Sequence, residues 1–213
     1  QSVHGNSDHV QTATSPAHAV VEGVITAGPV VAGNDLVVRA YAADGVTLLG
    51  QSVVDGTGAY RIDLGVYAGV VIVRASSGDA SVPDYRDEAT GLAQNLSATL
   101  LALGVAGPGS TTLNINALTS VAALKAGVLS EVQSGVALVS PQSVSEMNAA
   151  VADALGLDGL DITTASPIAV INPDGSPNPA YTPADGLTGP EKLGAVLAAL
   201  SGADQVHPGL SLI

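Results

Sequence analysis

The sequence predicts an α+β chain, an antiparallel β-sandwich followed by a small helical subdomain. Two observations carry this. Over residues 20–106, short apolar runs alternate in and out and are separated by Gly- and Asp-rich turns at the spacing of an all-β domain. From residue 107 onward the apolar period lengthens towards that of a helix, with capping signals at the starts and glycines at the ends.

Residues 1–19 are polar, carry His4, His9 and His18, and are read as an extended arm or linker. Val20–Thr26 is the first strand, ended by Ala27-Gly28-Pro29. In Leu36–Ala42, Leu36, Val38 and Ala40 share one face, while Val37, Arg39 and Tyr41 share the other. Asp44-Gly45 turns the chain into a strand at Val46–Val54. Asp55-Gly56-Thr57-Gly58 turns it again into Ala59–Leu64. Val70–Ala75 is a continuous β-branched run, the pattern of a strand buried on both faces. Leu96–Val105 closes the sheet.

Gly107-Pro108-Gly109 is the expected hinge into the second half, residues 107–213. Leu113–Asn116 is a short extended piece. Leu118–Ala126 carries Leu118, Val121, Ala122 and Leu124, and Gly127 can end that helix. Ser143-Val144-Ser145-Glu146 has the form of a capping box before a helix reaching about Leu155. Thr188-Gly189-Pro190-Glu191 is a second one. Leu193, Val196, Leu197 and Leu200 then line one face, and Gly202 is the expected stop. Residues 172–187 between these helices form a Pro/Asn/Asp/Gly-rich loop, long enough to bind something or simply to move.

Composition narrows the function. Six basic residues against nineteen acidic ones give a net charge of −13, which leaves no Lys/Arg set to neutralise phosphates and excludes nucleic acid as a partner. The same balance disfavours anionic membrane surfaces and suits cations such as calcium. No apolar run is long enough to insert in a membrane. With no cysteine, disulfides, thiolate metal sites and Cys nucleophiles are ruled out. The chain has no Phe and no Trp, so its core must come from small aliphatic side chains. It begins at Gln1, as a processed mature form or a fragment of a longer protein would.

Three stretches, GDASVPDYRDEATGLAQNLSATLLALGV at 78–105, STTLNINALTSVAALKAG at 110–127 and TPADGLTGPEKLGAVLAALSGADQ at 182–205, stand behind VVEGVITAGPVVAGNDLVVRAYAADG at 20–45. In this order they resemble the Ig-like or carboxypeptidase-regulatory-like β domain plus helical module of large bacterial surface adhesins, the biofilm-associated proteins. The resemblance covers roughly residues 20–205. It implies a secreted, extracellular or cell-surface location, structural or adhesive work, and often calcium. It implies no catalytic residue. This chain departs from the giant repeat proteins of that kind by ending at Ile213.

Asp79, Asp84, Asp87 and Glu88 are the densest acidic cluster. Calcium takes six to eight oxygens, which these carboxylates and nearby carbonyls can supply. Against it stands a solvated connection in which Arg86 pairs with a carboxylate. Asp158, Asp161, Asp174 and Asp185 form a looser acidic set, in which Asp158-Gly159 and Asp174-Gly175 read first as turns. The spacing of His4, His9 and His18 matches no helix face and no metal motif. Asn95-Leu96-Ser97 fits a glycosylation sequon, a chance match in a bacterial protein. His207 stands just before Pro208, a poor place for a buried general base, and no Gly-x-Ser-x-Gly elbow, P-loop or His-Glu-x-x-His pattern occurs.

The expectation is therefore a non-enzymatic structural or adhesive module, or a filament subunit, that associates with itself or with neighbouring modules. The terminal segments are the expected contacts. Val10, Thr12 and Thr14 alternate as a strand would, and Leu210 and Leu212 share one face of another. The alternative is a secreted module that binds a peptide, glycan or metal between the 79–88 and 172–187 loops.

Overall fold

A computed structural model describes residues 17–135 and 137–206. Val10, Thr12, Thr14, Leu210 and Leu212, with His4, His9 and His207, lie outside the described residues.

The described chain is α+β, with β-sheets first and helices after. Strands β1 (Ala19–Thr26), β2 (Val37–Tyr41), β3 (Leu48–Val53), β4 (Ala59–Asp63), β5 (Gly69–Ser76) and β8 (Leu100–Ala106) fall where alternation and turns put them. The turns are closed by aspartates. Asp44 accepts the amides of Val46 and Thr47 (both 2.9 Å), and Asp55 accepts those of Thr57 (2.8 Å) and Ala59 (3.0 Å). Two-residue strands β6 (Tyr85–Arg86) and β7 (Ala93–Gln94) pair with each other.

One sheet is antiparallel, in the order β3-β2-β5-β8. Both of its faces are covered. Val38, Ala40, Val71, Val73, Ala75 and Ala102 point into one core. Tyr41, Val70, Ile72, Leu101 and Leu103 point the other way, against Ala123, Val128, Val139 and Val144 of the helical half. That is why β5 reads as an unbroken Val/Ile run rather than an alternating one. Arg74, buried on the second face, stacks 4.7 Å over the Tyr41 ring and donates to the Gly45 and Leu129 carbonyls (both 3.1 Å).

The other sheet is mixed. β4 pairs antiparallel with β1, while β9 (Gly109–Thr112) and β10 (Ile115–Asn116) pair with β1 in parallel. The expected hinge at residues 107–109 is instead the crossover from one sheet to the other. The division at 106/107 does not separate two cores, because Leu113, Ile115, Leu118, Ile162 and Leu193 share one cluster with Val21, Val38 and Val73. Gly23 makes the approach of the crossing chain possible: a Cβ there would lie 2.3 Å from the Leu113 carbonyl oxygen.

Helix α1 (Ala117–Lys125) starts from Asn116, whose side chain accepts the Leu118 and Thr119 amides while Thr119 returns a bond to the Asn116 amide. Helix α2 (Pro141–Ala154) begins one turn before the expected box. Ser140 caps it by accepting the Ser143 amide (3.1 Å), Pro141 occupies the first turn, and Glu146 accepts from Gln142 instead of reaching the Ser143 amide. Helix α3 (Gly189–Val206) starts with the expected reciprocal box between Thr188 and Glu191 but runs through Gly202, which lies inside it. Its burial of Leu193 and Leu197 carries it past the unfavourable Gly194 and Gly202.

Candidate functional site

The acidic segment 79–88 does not converge on one point. β6 lies between Asp84 and Asp87, and the side chains engage different parts of the protein. Asp79 is exposed and accepts the Ser81 amide (2.9 Å) and hydroxyl (2.7 Å), which hold its carboxyl below the usual range. Among the described residues no group of three or more His, Cys, Asp or Glu gathers as a metal ion would require. Asp79, Asp84, Asp87 and Glu88, weighed as ligands of one calcium ion, each accept protein donors of their own.

Asp84 is fully buried. Its Oδ2 accepts the Leu96 amide (2.8 Å) and the Asn95 amide group (3.2 Å), and its Oδ1 faces the Asp35 amide (3.4 Å). Burial raises its pKa, the Leu96 amide works against that, and the adjacent Asp35 carboxylate adds to the rise. Around Asn95 Nδ2 stand Ser77 Oγ (2.8 Å), the Val82 carbonyl (3.0 Å), the Asp79 carbonyl (3.1 Å) and Asp84 Oδ2. The nitrogen that a sequon would offer to a glycan is therefore engaged inside the protein. This knot ties the β5–β6 loop to the strand that leads into β8.

Asp87 is also buried and reaches the helical half. Its Oδ1 accepts the Ser201 hydroxyl of α3 (2.7 Å) and the Ala89 amide (2.7 Å). Burial pushes its pKa up, but the Ser201, Ala89 and Thr90 donors outweigh burial and leave it low. Glu88 accepts the Val170 amide (2.8 Å); burial, the largest influence, raises its pKa. Arg86, which pairs with a carboxylate in the reading set against the calcium site, donates to the Gly91 carbonyl (2.6 Å) and to the Pro173 carbonyl (2.5 Å). The acidic segment and the long loop thus hold each other.

The long loop is itself organised by polar side chains. Asn172 and Asn178 donate to the Pro177 (3.1 Å) and Ala169 (2.8 Å) carbonyls. Glu191, at 2% exposure, accepts the Thr182 (2.7 Å) and Thr188 (2.8 Å) amides and both their hydroxyls. Those donors, the Thr188 amide foremost, hold its pKa down at about 2. Asp174 closes a local turn on Ser176, as the Asp-Gly reading expected, and Asp161 closes another on Thr163. His18 contacts Asp63 (2.9 Å), both exposed.

Sequence reasoning missed Asp35, Ser77, Asn95, Ser201 and the double use of Glu191. All are distant partners that no local spacing announces, except Glu191, which the capping box marked. No family model matches the chain, and no curated protein matches it.

Proposed function

We propose that this chain is a non-enzymatic, extracellular structural module of a bacterial surface, built on an Ig-like sandwich and able to associate with copies of itself through a terminal segment. The observation that supports this best is how its carboxylates are used. Asp84, Asp87, Glu88 and Glu191 each accept backbone or hydroxyl donors that fasten one segment to another. Where a hydroxyl meets one of these carboxylates, as Ser201 meets Asp87, both groups are buried and serve to fasten segments together. The sandwich reading is supported by the core that the two sheets share. The surface location rests on the resemblance of residues 20–205 to adhesin modules, and no helix among the described residues is long and apolar enough to cross a membrane.

A ligand-binding module using the 79–88 and 172–187 loops is the alternative. The structural reading is preferred because those loops bond to one another, through Arg86 with Pro173 and Glu88 with Val170. The test is a screen of esterase, glycosidase, phosphatase and peptidase substrates, run beside light scattering of the same preparation. Background turnover with concentration-dependent assembly is expected. Reproducible turnover abolished by one substitution at an Asp, Glu or His overturns the reading.

A further inference from the structure

The two lateral sides of the paired sheets differ. On one side the edge strands touch: a Cβ on Gly50 of β3 would lie 2.7 Å from Ile62 Cγ2 of β4. On the other side β8 and β9 part and leave a cleft of about 490 Å³, walled by α2 and by residues 159–164. Val105, Thr112, Ser145, Asn148, Ile162 and Thr163 are among its lining.

The edges facing this cleft are half closed. At Leu101 the hydroxyls of α1 act in place of a neighbouring strand: Ser120 Oγ accepts the Leu101 amide and Thr119 Oγ1 donates to its carbonyl (both 2.8 Å). Alternation in an antiparallel pair turns the main-chain groups of Leu103 and Val105 to that same outer side. There only the Leu103 carbonyl has a partner among the described residues, the Asn148 amide group at 3.3 Å. Asn148 Oδ1 is buried and has none. Across the cleft, Gly109 and Leu113 give their amides to His18 and Glu22 (2.9 and 2.8 Å). The parallel alternation therefore aims those of Ser110 and Thr112 away from β1. Val105, 46% exposed, completes an apolar, unpaired strip. Unpaired main-chain groups along such an edge are what an added strand satisfies.

We propose that this cleft is the acceptor for residues 10–14 of a second copy of the chain, which add a strand against β8. The proposal rests on the self-associating structural reading above and names where the contact is made. Three facts select this occupant. Val10, Thr12 and Thr14 alternate, and residues 10–16 hold no charge, so a chain of net charge −13 brings no carboxylate into a cleft that Asp153 and Asp161 already flank. Sixteen residues precede the described chain and span up to roughly 55 Å when extended. Ala17 and His18 sit at the Gly109 end, so a copy's own arm must double back to enter its own cleft, whereas a neighbour's need not. Repeated head to tail such a contact gives a ring or a fibre, and exchanged reciprocally between two copies it closes as a dimer.

The chain has no cysteine, so single cysteines report the contact cleanly. Full-length Thr12→Cys and Val105→Cys proteins are mixed under mild oxidation, with Val53→Cys on the opposite edge as the control. A disulfide between Thr12→Cys and Val105→Cys copies, absent with Val53→Cys, is expected. Ala149→Trp on α2 should abolish assembly as seen by light scattering, with an unchanged melting curve. Assembly without this cross-link, or an equal one with Val53→Cys, overturns the cleft assignment and leaves the structural reading standing. So does a Thr12→Cys/Val105→Cys double variant that closes within a monomer. Full-length protein that stays monomeric at every concentration and salt overturns both.

Discussion

Replacing Asn116 by alanine tests how the sheets are joined to the helices. Asn116 ends β10, caps α1 and is completely buried. Its Oδ1 accepts the Leu118 (2.9 Å) and Thr119 (3.1 Å) amides. Loss of a cap costs about 1 kcal/mol on average where water can replace it. Water has no access here, so two amides lose their acceptor at about 1–3 kcal/mol each. The opposing effect is that Asn116 Nδ2 is itself buried without a partner, and the substitution removes that penalty. The balance is a loss of about 2–3 kcal/mol, or about 4–12 °C in melting temperature for a domain of this size. Asn116→Ser keeps an acceptor at the cap and should recover about 1 kcal/mol of it. Urea unfolding followed by far-UV circular dichroism measures both variants, with an unchanged m-value as the check on two-state behaviour. A loss under about 1 kcal/mol for Asn116→Ala, or no advantage of serine over alanine, would refute the reasoning.

Two further outcomes follow from single residues. Glu191 has a folded pKa held at about 2 against 4.5 for a free glutamate, so its stabilising contribution is complete above the ordinary carboxylate range and is lost as pH falls towards 2. Glu191→Gln should therefore differ most from the parent at pH 7 and converge with it on acidification; a pH-independent gap in melting temperature contradicts this. Gly194 and Gly202 lie in the same helix, where alanine is intrinsically better by about 1 kcal/mol. A Cβ at Gly194 would meet the Ile168 carbonyl oxygen at 1.9 Å, whereas one at Gly202 meets only Ala89 Cβ at 4.0 Å. Gly194→Ala should destabilise and Gly202→Ala should stabilise by about 0.5–1 kcal/mol; equal signs by thermal unfolding would show that α3 does not pack as described.

The strands of the antiparallel sheet were legible because each carries its own pattern, and aspartate turns at Asp44 and Asp55 mark the ends of β2 and β3. Residues 109–116 were not read as part of a sheet. Ser110-Thr111-Thr112 has no apolar alternation, and its partner strand begins some ninety residues earlier, at Ala19. Parallel pairing over that distance leaves no local mark. The cap of α2 slipped from Ser143 to Ser140 because both are serines ahead of an apolar face, and only Pro141 at the first helical turn distinguishes them. The partners of the acidic segment were hidden for a different reason. Nearness in sequence made Asp84, Asp87 and Glu88 look like one site, but the short strand between the first two sends their carboxylates to Asn95 on one side and Ser201 on the other.

The position of β1 sets an order of events during synthesis. The antiparallel sheet lies within residues 37–106, and its strands meet neighbours that are close in the chain. β1 is made first, yet one of its edges waits for residues 109–116, which are made last among the strands. Closing so long a loop is entropically costly until a packed surface rewards it. A chain emerging from its N-terminus thus carries an early strand with one satisfied side and one open side until the crossover is made. Gly23 sits on that waiting stretch, holding space for a backbone that has not yet arrived.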